Sequence, residues 1–221
     1  MSDREIREFG PDVVWGMPDD QKIKMTGTRQ KNITVWEEFR PIGTQHLKSE
    51  DIIEELKNVP DFLSKYIALI VLSPFDLLKN SPFATRNPFA SFNAYSAEIL
   101  FPKRPEDRNF LKTVLSNHLT LQHEAGHIID GNIRGPNRFY STGMEWLEAM
   151  CLDTKVKHTA PDLPKYYISE NAESTKEIGE GLALMEDFAD SVMFFSDERR
   201  WKKFLKREFP NRYKTLDGLL K

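Results

Sequence analysis

From Glu106 to Asp130 the apolar residues Phe110, Leu111, Val114, Leu115, Leu121, Ile128 and Ile129 recur at helical spacing, and within this stretch stands His123-Glu124-Ala125-Gly126-His127. The pattern predicts one long helix with Gly131 as its C-cap. On a helix, residues four apart lie one turn apart on one face, so the two imidazoles can bind a single metal ion. Glu124 falls beside them, toward the open coordination position. Gly126 costs the helix about 1 kcal/mol relative to alanine, and its missing side chain would let a strand or a substrate backbone approach.

Each residue type in this motif has a separate task. Zinc lowers the pKa of its water to about 7, and a neighbouring carboxylate takes that water's proton during attack on a peptide carbonyl. Glu124 is therefore the expected general base, with His123 and His127 as expected zinc ligands. Cys151 is the only cysteine, which excludes an intrachain disulfide and a thiolate cluster and leaves His and carboxylate as metal ligands.

A catalytic zinc takes three protein ligands, and the third lies elsewhere in the chain. His127 is followed by Ile128-Ile129-Asp130-Gly131-Asn132, without the second glycine and third histidine of the metzincin pattern. Met185-Glu186-Asp187-Phe188-Ala189-Asp190 offers two carboxylates one turn apart in a helical segment. Glu186 can serve as a ligand while Asp190 accepts the free ring N–H of a ligating histidine. Glu145, Glu148 and His158 compete with Glu186 for the third place. Asp130, one turn after His127, is expected either to cap the helix end or to orient a ligand. His118 is turned away from the ligand face, and His46 has no partner visible in sequence.

His123-Glu124-Ala125-Gly126-His127-Ile128-Ile129-Asp130 followed by Glu186-Asp187-Phe188-Ala189-Asp190 resembles the gluzincins of the anthrax lethal factor and Pro-Pro endopeptidase type, with their H-E-x-G-H-x-x-D and E-x-F-A-E/D segments. The order of helix, buried strand, edge strand and active-site helix is also similar, so the resemblance spans residues 50–221. It implies an α+β, zincin-like metallopeptidase domain with a small mixed sheet, an active-site helix and C-terminal helices. It also implies endopeptidase action on a peptide held extended along an edge strand, with zinc on His123, His127 and Glu186. Members often carry a tyrosine shortly before the third ligand that helps stabilise the oxyanion. Residues 171–185 contain none, which leaves Tyr166, Tyr167 and Tyr140 as candidate donors.

The rest of the chain is read as residues 1–48, an extension packed on the domain with a strand at 32–36, and residues 49–221, the catalytic domain. Helices are expected at 51–56, with Ser49 as cap, and at 59–66, with Pro60 dividing the two. Ile67–Leu72 suits a strand buried on both faces, and 91–101 a further strand at an edge. Helical patterns follow at 143–152, at 178–195 and at 198–209, the last ending at Pro210. The aromatic run Phe194, Phe195, Trp201, Phe204 and Phe209 reads as core, and Cys151 as a buried small apolar residue.

Composition excludes other classes. Hydrophobic residues are 39% and charged residues 29% of the 221 residues, well away from the signature of disorder. With a net charge of −3 and Lys and Arg spread along the chain, no nucleic-acid partner is indicated. The longest apolar stretch, Tyr66 to Leu72, is far short of the roughly 20 residues a membrane span needs. The first residues are charged and lack the apolar core of a secretory signal. The expectation is a cytoplasmic protein, or one exported by a signal-independent route, acting on a protein or peptide substrate. The alternative expectation is a non-hydrolysing, zinc-stabilised binding or regulatory module on the same fold.

Overall fold

The computed structural model describes residues 5–10, 21–38, 47–73, 90–93, 97–102, 104, 106–117, 119–134, 138–154, 167–177 and 179–220. His46, His118, His158 and Tyr166 lie outside the described residues. The architecture is α+β. The chain forms two compact units, one of Met1–Val59 with Ile67–Leu121, the other of Pro60–Tyr66 with Gln122–Lys221.

The first unit holds a mixed six-stranded sheet in the order β1-β2-β3-β4-β6-β5. Its strands are β1 (Glu5–Phe9), β2 (Ile23–Gln30), β3 (Ile33–Glu38), β4 (Leu69–Leu72), β5 (Ser91–Asn93) and β6 (Glu98–Phe101). The segment expected as an extension thus supplies β1, β2 and β3, an antiparallel meander that continues into the rest of the sheet. β4 lies parallel to both β3 and β6, which is the environment its unbroken apolar run requires. Its residues alternate between faces. Val71 joins Met25, Trp36 and Leu100 in one apolar cluster, while Ile70 is fully buried in register with Val35 and Ile99, themselves fully buried. Burying each such side chain contributes about 1.5–3 kcal/mol.

The strand expected at 91–101 is instead the antiparallel pair β5 and β6, with β5 at the sheet edge. Ala97, with φ 51, stands directly before β6, and that left-handed backbone cannot continue a strand.

Helix α1 (Ser49–Leu56) packs on β2 and β3 and against α3 (Arg108–Asn117). Ser49 is the first helical residue rather than the cap. Its amide and hydroxyl both donate to Glu37, while the Asp51 carboxylate accepts the Lys48 amide at 2.9 Å.

The single helix expected over 106–130 is two helices, α3 and α4 (Thr120–Asn132). Leu119, between them, has φ 48, a left-handed backbone that ends α3. Gly131 is not a cap, because α4 runs on through it to Asn132.

The second unit is helical: α2 (Asp61–Ser64), most of α4, α5 (Met144–Asp153), α6 (Glu170–Thr175), α7 (Glu180–Ser196), α8 (Trp201–Glu208) and α9 (Pro210–Leu219). α7 packs against α6, α8 and α9, and α5 against α9. Pro60 does divide α1 from α2. Pro210 does more than end α8, since it opens α9, the position where a missing N–H costs nothing. Of the aromatic run, Phe194, Phe195 and Phe209 are core, whereas Trp201 and Phe204 are half-buried, with Phe194 stacked on Trp201 at 4.8 Å and Phe204 edge-on to both. Cys151, expected buried, is exposed. Among the described residues no helix is long and apolar enough to cross a membrane.

Candidate metal centre

α4 and α7 meet at Gly126. A β-carbon there would stand 2.8 Å from Ala189 Cα and 3.0 Å from the Ala189 carbonyl oxygen. Only glycine permits this approach. The expectation of a strand or substrate backbone is corrected, because the backbone that comes close is that of α7. Ala189 sits between Glu186 and Asp190 on α7, just as Gly126 sits between His123 and His127 on α4. The close contact therefore brings two carboxylates up to two imidazoles.

His123 Nε2 and His127 Nε2 are 3.1 Å apart. Glu186 reaches both, with its oxygens 3.4 Å from His123 Nε2 and 3.5 Å from His127 Nε2. These three residues form a group able to hold a metal ion among the described residues. The outer nitrogen of His123, Nδ1, lies 2.7 Å from Asp190 Oδ1. Asp190 can hold a proton at Nδ1, which leaves Nε2 as the nitrogen that a metal ion would take in place of a proton.

The electrostatics follow from burial against pairing. Burial opposes charge on His123, but Asp190 and then Glu186 outweigh it and raise its pKa well above the ordinary value. His127 is nearly fully buried, and that desolvation pushes its pKa down to about 4, so the ring is neutral. Burial also opposes ionisation of Glu186, yet the two imidazoles and Asn171 outweigh it and bring its pKa down to about 2. Glu124 is 7% exposed. Burial, against a smaller opposing effect of His123, pushes its carboxyl up to about 7.

A tetrahedral zinc with ligands at about 2.0–2.1 Å separates its donors by about 3.3 Å. The two imidazole nitrogens, 3.1 Å apart, are close to that spacing, and Glu186 turns one oxygen to each ring, Oε2 to His123 and Oε1 to His127. One ligand atom from each of the three residues lies within 4.8 Å of the others, so one anionic and two imidazole donors can close on such an ion.

Other expected site residues go elsewhere. Asp130 is fully buried, and its two oxygens accept the Ser141 amide at 2.6 Å and hydroxyl at 2.7 Å, so it ties the end of α4 to the turn before α5. Burial pushes its carboxyl up to about 7. Tyr140 is buried beside Phe188. Burial and a hydrogen bond with Glu145 push its hydroxyl up to about 12. Tyr167 is fully buried. Glu145 pairs with Arg134 at 2.7 Å and Glu148 is exposed, so neither joins the group.

Three positions escaped the sequence reading. Asn171 Nδ2 donates to Glu186 Oε2 at 2.7 Å. The Ser169 hydroxyl donates to Asp190 Oδ2 and accepts the Ala172 amide at 3.1 Å as the cap of α6. Arg212, fully buried, lies 3.5 Å from Asp187 and 3.9 Å from Asp153. Ser169 could have been found as an N-cap residue, but nothing in sequence signals its bond to Asp190.

No protein-family model matches the chain, and no curated protein matches it.

Proposed function

We propose that the chain is a zinc-dependent endopeptidase of gluzincin type on a zincin-like fold, with His123, His127 and Glu186 as ligands and Glu124 as general base. The observation that carries the reading is the meeting of two imidazole nitrogens 3.1 Å apart with one carboxylate that turns an oxygen to each of them, at 3.4 and 3.5 Å. A zinc ion held there would polarise a peptide carbonyl and make water acidic enough to ionise near neutral pH.

The chain's own residues supply the rest. His127 is kept neutral by burial and so offers a lone pair to a metal. Asp190 orients His123 through Nδ1. Glu124 is not one of the three donors, and its pKa of about 7 suits a group that takes a proton from attacking water and returns it to the leaving amine. A protein or peptide is the substrate that this base and donor set favour.

Zinc analysis of the purified protein, with peptide turnover before and after chelation, tests the reading. One zinc per chain, removed together with activity by the chelator, is the expected result. Activity that survives chelation in a protein without stoichiometric zinc would sink it. Cleavage-site profiling on a proteome-derived peptide library then identifies the substrate class.

A second reading, a zinc-stabilised binding module without turnover, has one observation in its favour. Tyr140 is engaged with Glu145 and Tyr167 is fully buried, so neither is presented as an oxyanion donor. Bound zinc with no cleavage of any library peptide would establish it.

A further inference from the structure

Two hydrogen bonds from one short helix reach the two α7 carboxylates that face the imidazoles. Asn171, in the first turn of α6, donates to Glu186 Oε2 at 2.7 Å. Ser169, the cap of the same helix, donates to Asp190 Oδ2. Glu186 contacts both histidines, and Asp190 holds His123 Nδ1. Asp190 is thus held by Ser169 at one oxygen and faces His123 with the other, while Glu186 accepts from Asn171 at Oε2, the oxygen nearer His123, and turns Oε1 toward His127.

We propose that Ser169 and Asn171 are positioning residues that set the metal affinity of the centre, and that metal binding and the ordering of α6 are coupled. The inference rests on the zinc reading of the same site. Partners of ligating carboxylates and of the carboxylates that orient ligating histidines hold the donors at the angle the metal requires, and losing one typically costs about 10–100-fold in affinity.

The coupling has a structural reason. α6 has six residues, far below the roughly 12–15 at which an isolated helix becomes marginal in water. It owes its order to tertiary contacts, chiefly with α7. The Ser169 hydroxyl serves two ends at once, accepting the Ala172 amide inside α6 and donating to Asp190 outside it. Fixing Asp190 and Glu186 by a metal therefore fixes the acceptors on which α6 is hung. Linkage requires the reverse as well: whatever orders α6 raises metal affinity by the same factor.

The experiment is a competitive zinc titration of the full chain against a chromophoric chelator, with amide hydrogen exchange at Ala172 followed with and without zinc. Asn171→Ala and Ser169→Ala are each expected to weaken zinc binding by about 10–100-fold. Ser169→Thr, which keeps the hydroxyl, should restore most of the loss. Zinc should slow exchange at Ala172 in the parent, and this slowing should shrink in Asn171→Ala although that side chain is not the cap.

Asn171 is exposed, so its variant retains the fold even where Ser169→Ala does not. Zinc affinity unchanged in Asn171→Ala, or Ala172 exchange indifferent to zinc, overturns the proposal. A fall in affinity that Ser169→Thr fails to reverse overturns the role of the serine hydroxyl. A parent that binds no zinc defeats the zinc reading itself. A parent that binds zinc but cleaves nothing leaves this test intact, because every arm reads affinity or exchange.

Discussion

The sheet unit and the helical unit bury different things. In the sheet unit the interior is a two-faced apolar layer around β4, and Asp51, one of its buried acids, is answered by Arg108 at 2.7 Å and Lys112 at 3.4 Å. In the helical unit Glu124, Asp130, Asp153, Asp187 and Asp190 are buried together with His127 and Arg212. Burial pushes the pKa of Glu124 and Asp130 up to about 7. Taking carboxylates out of water costs several kcal/mol each unless pairing offsets it. The sheet unit also buries Glu98 and Glu55, and burial raises the pKa of Glu55, but the helical unit sets buried acids beside imidazoles, where a metal and a base would use them.

Glu124→Gln separates the two purposes most sharply. Loss of the base should lower kcat by roughly 100-fold to 10,000-fold with zinc stoichiometry unchanged. Removing a buried charge should leave the urea midpoint where it is or raise it. A midpoint that falls along with activity would make Glu124 a structural acid and erase the contrast.

Arg212→Met is the next largest expected change, and it acts on stability. It leaves Asp187 and Asp153 buried without the cation that lies 3.5 and 3.9 Å away, a loss of about 3–5 kcal/mol readable by urea unfolding. Asp187 also accepts the Trp146 indole at 3.1 Å and the Ile168 amide at 2.7 Å. The double variant with Asp187→Asn should therefore recover only part of the loss.

Gly126→Ala pits helix propensity against packing. Alanine favours the helix by about 1 kcal/mol, but its methyl would meet Ala189 Cα at 2.8 Å, and overpacking costs about 1–3 kcal/mol. Zinc titration and thermal unfolding should both show a loss. Increased stability with unchanged zinc affinity would mean that α4 and α7 do not depend on this contact.

Asp51→Asn, in the sheet unit, should leave zinc affinity untouched and act on stability alone, with an expected cost of about 1–2 kcal/mol. Burial raises the Asp51 pKa, but the bonds from Arg108, the Lys48 amide and Lys112 outweigh it and hold it below the ordinary value. A depressed acid contributes stability that is complete above its unfolded pKa, near 4, and is lost as pH falls through the folded value. The parent should therefore lose its advantage over the variant between about pH 5 and the lowered pKa. An advantage that grows on acidification would reverse the sign of this assignment.

Period and punctuation made α1, α5, α7 and β4 readable, since each has apolar spacing of one kind and a boundary residue. β1, Glu5–Phe9, was not, because four of its five residues are exposed and pairing with β2 holds it rather than an apolar face. The break between α3 and α4 was hidden because Leu119, an ordinary apolar residue, takes the left-handed backbone. α6 is too short to show a period. At the site, His123, Glu124 and His127 were legible from local spacing, and Glu186 and Asp190 from theirs. The bonds of Ser169, Asn171 and Arg212 join distant segments, and local pattern carries no trace of them.

His123 and Asp190 are 67 residues apart in the chain, and the close approach of α7 to Gly126 brings their groups together. During synthesis the histidine helix is made first and stays without its acidic partners until α7 has followed. A growing chain at that stage carries both imidazoles but not the carboxylate that completes the group, so the capacity of His123, His127 and Glu186 to hold a metal ion together arises only once α7 has been made and packed.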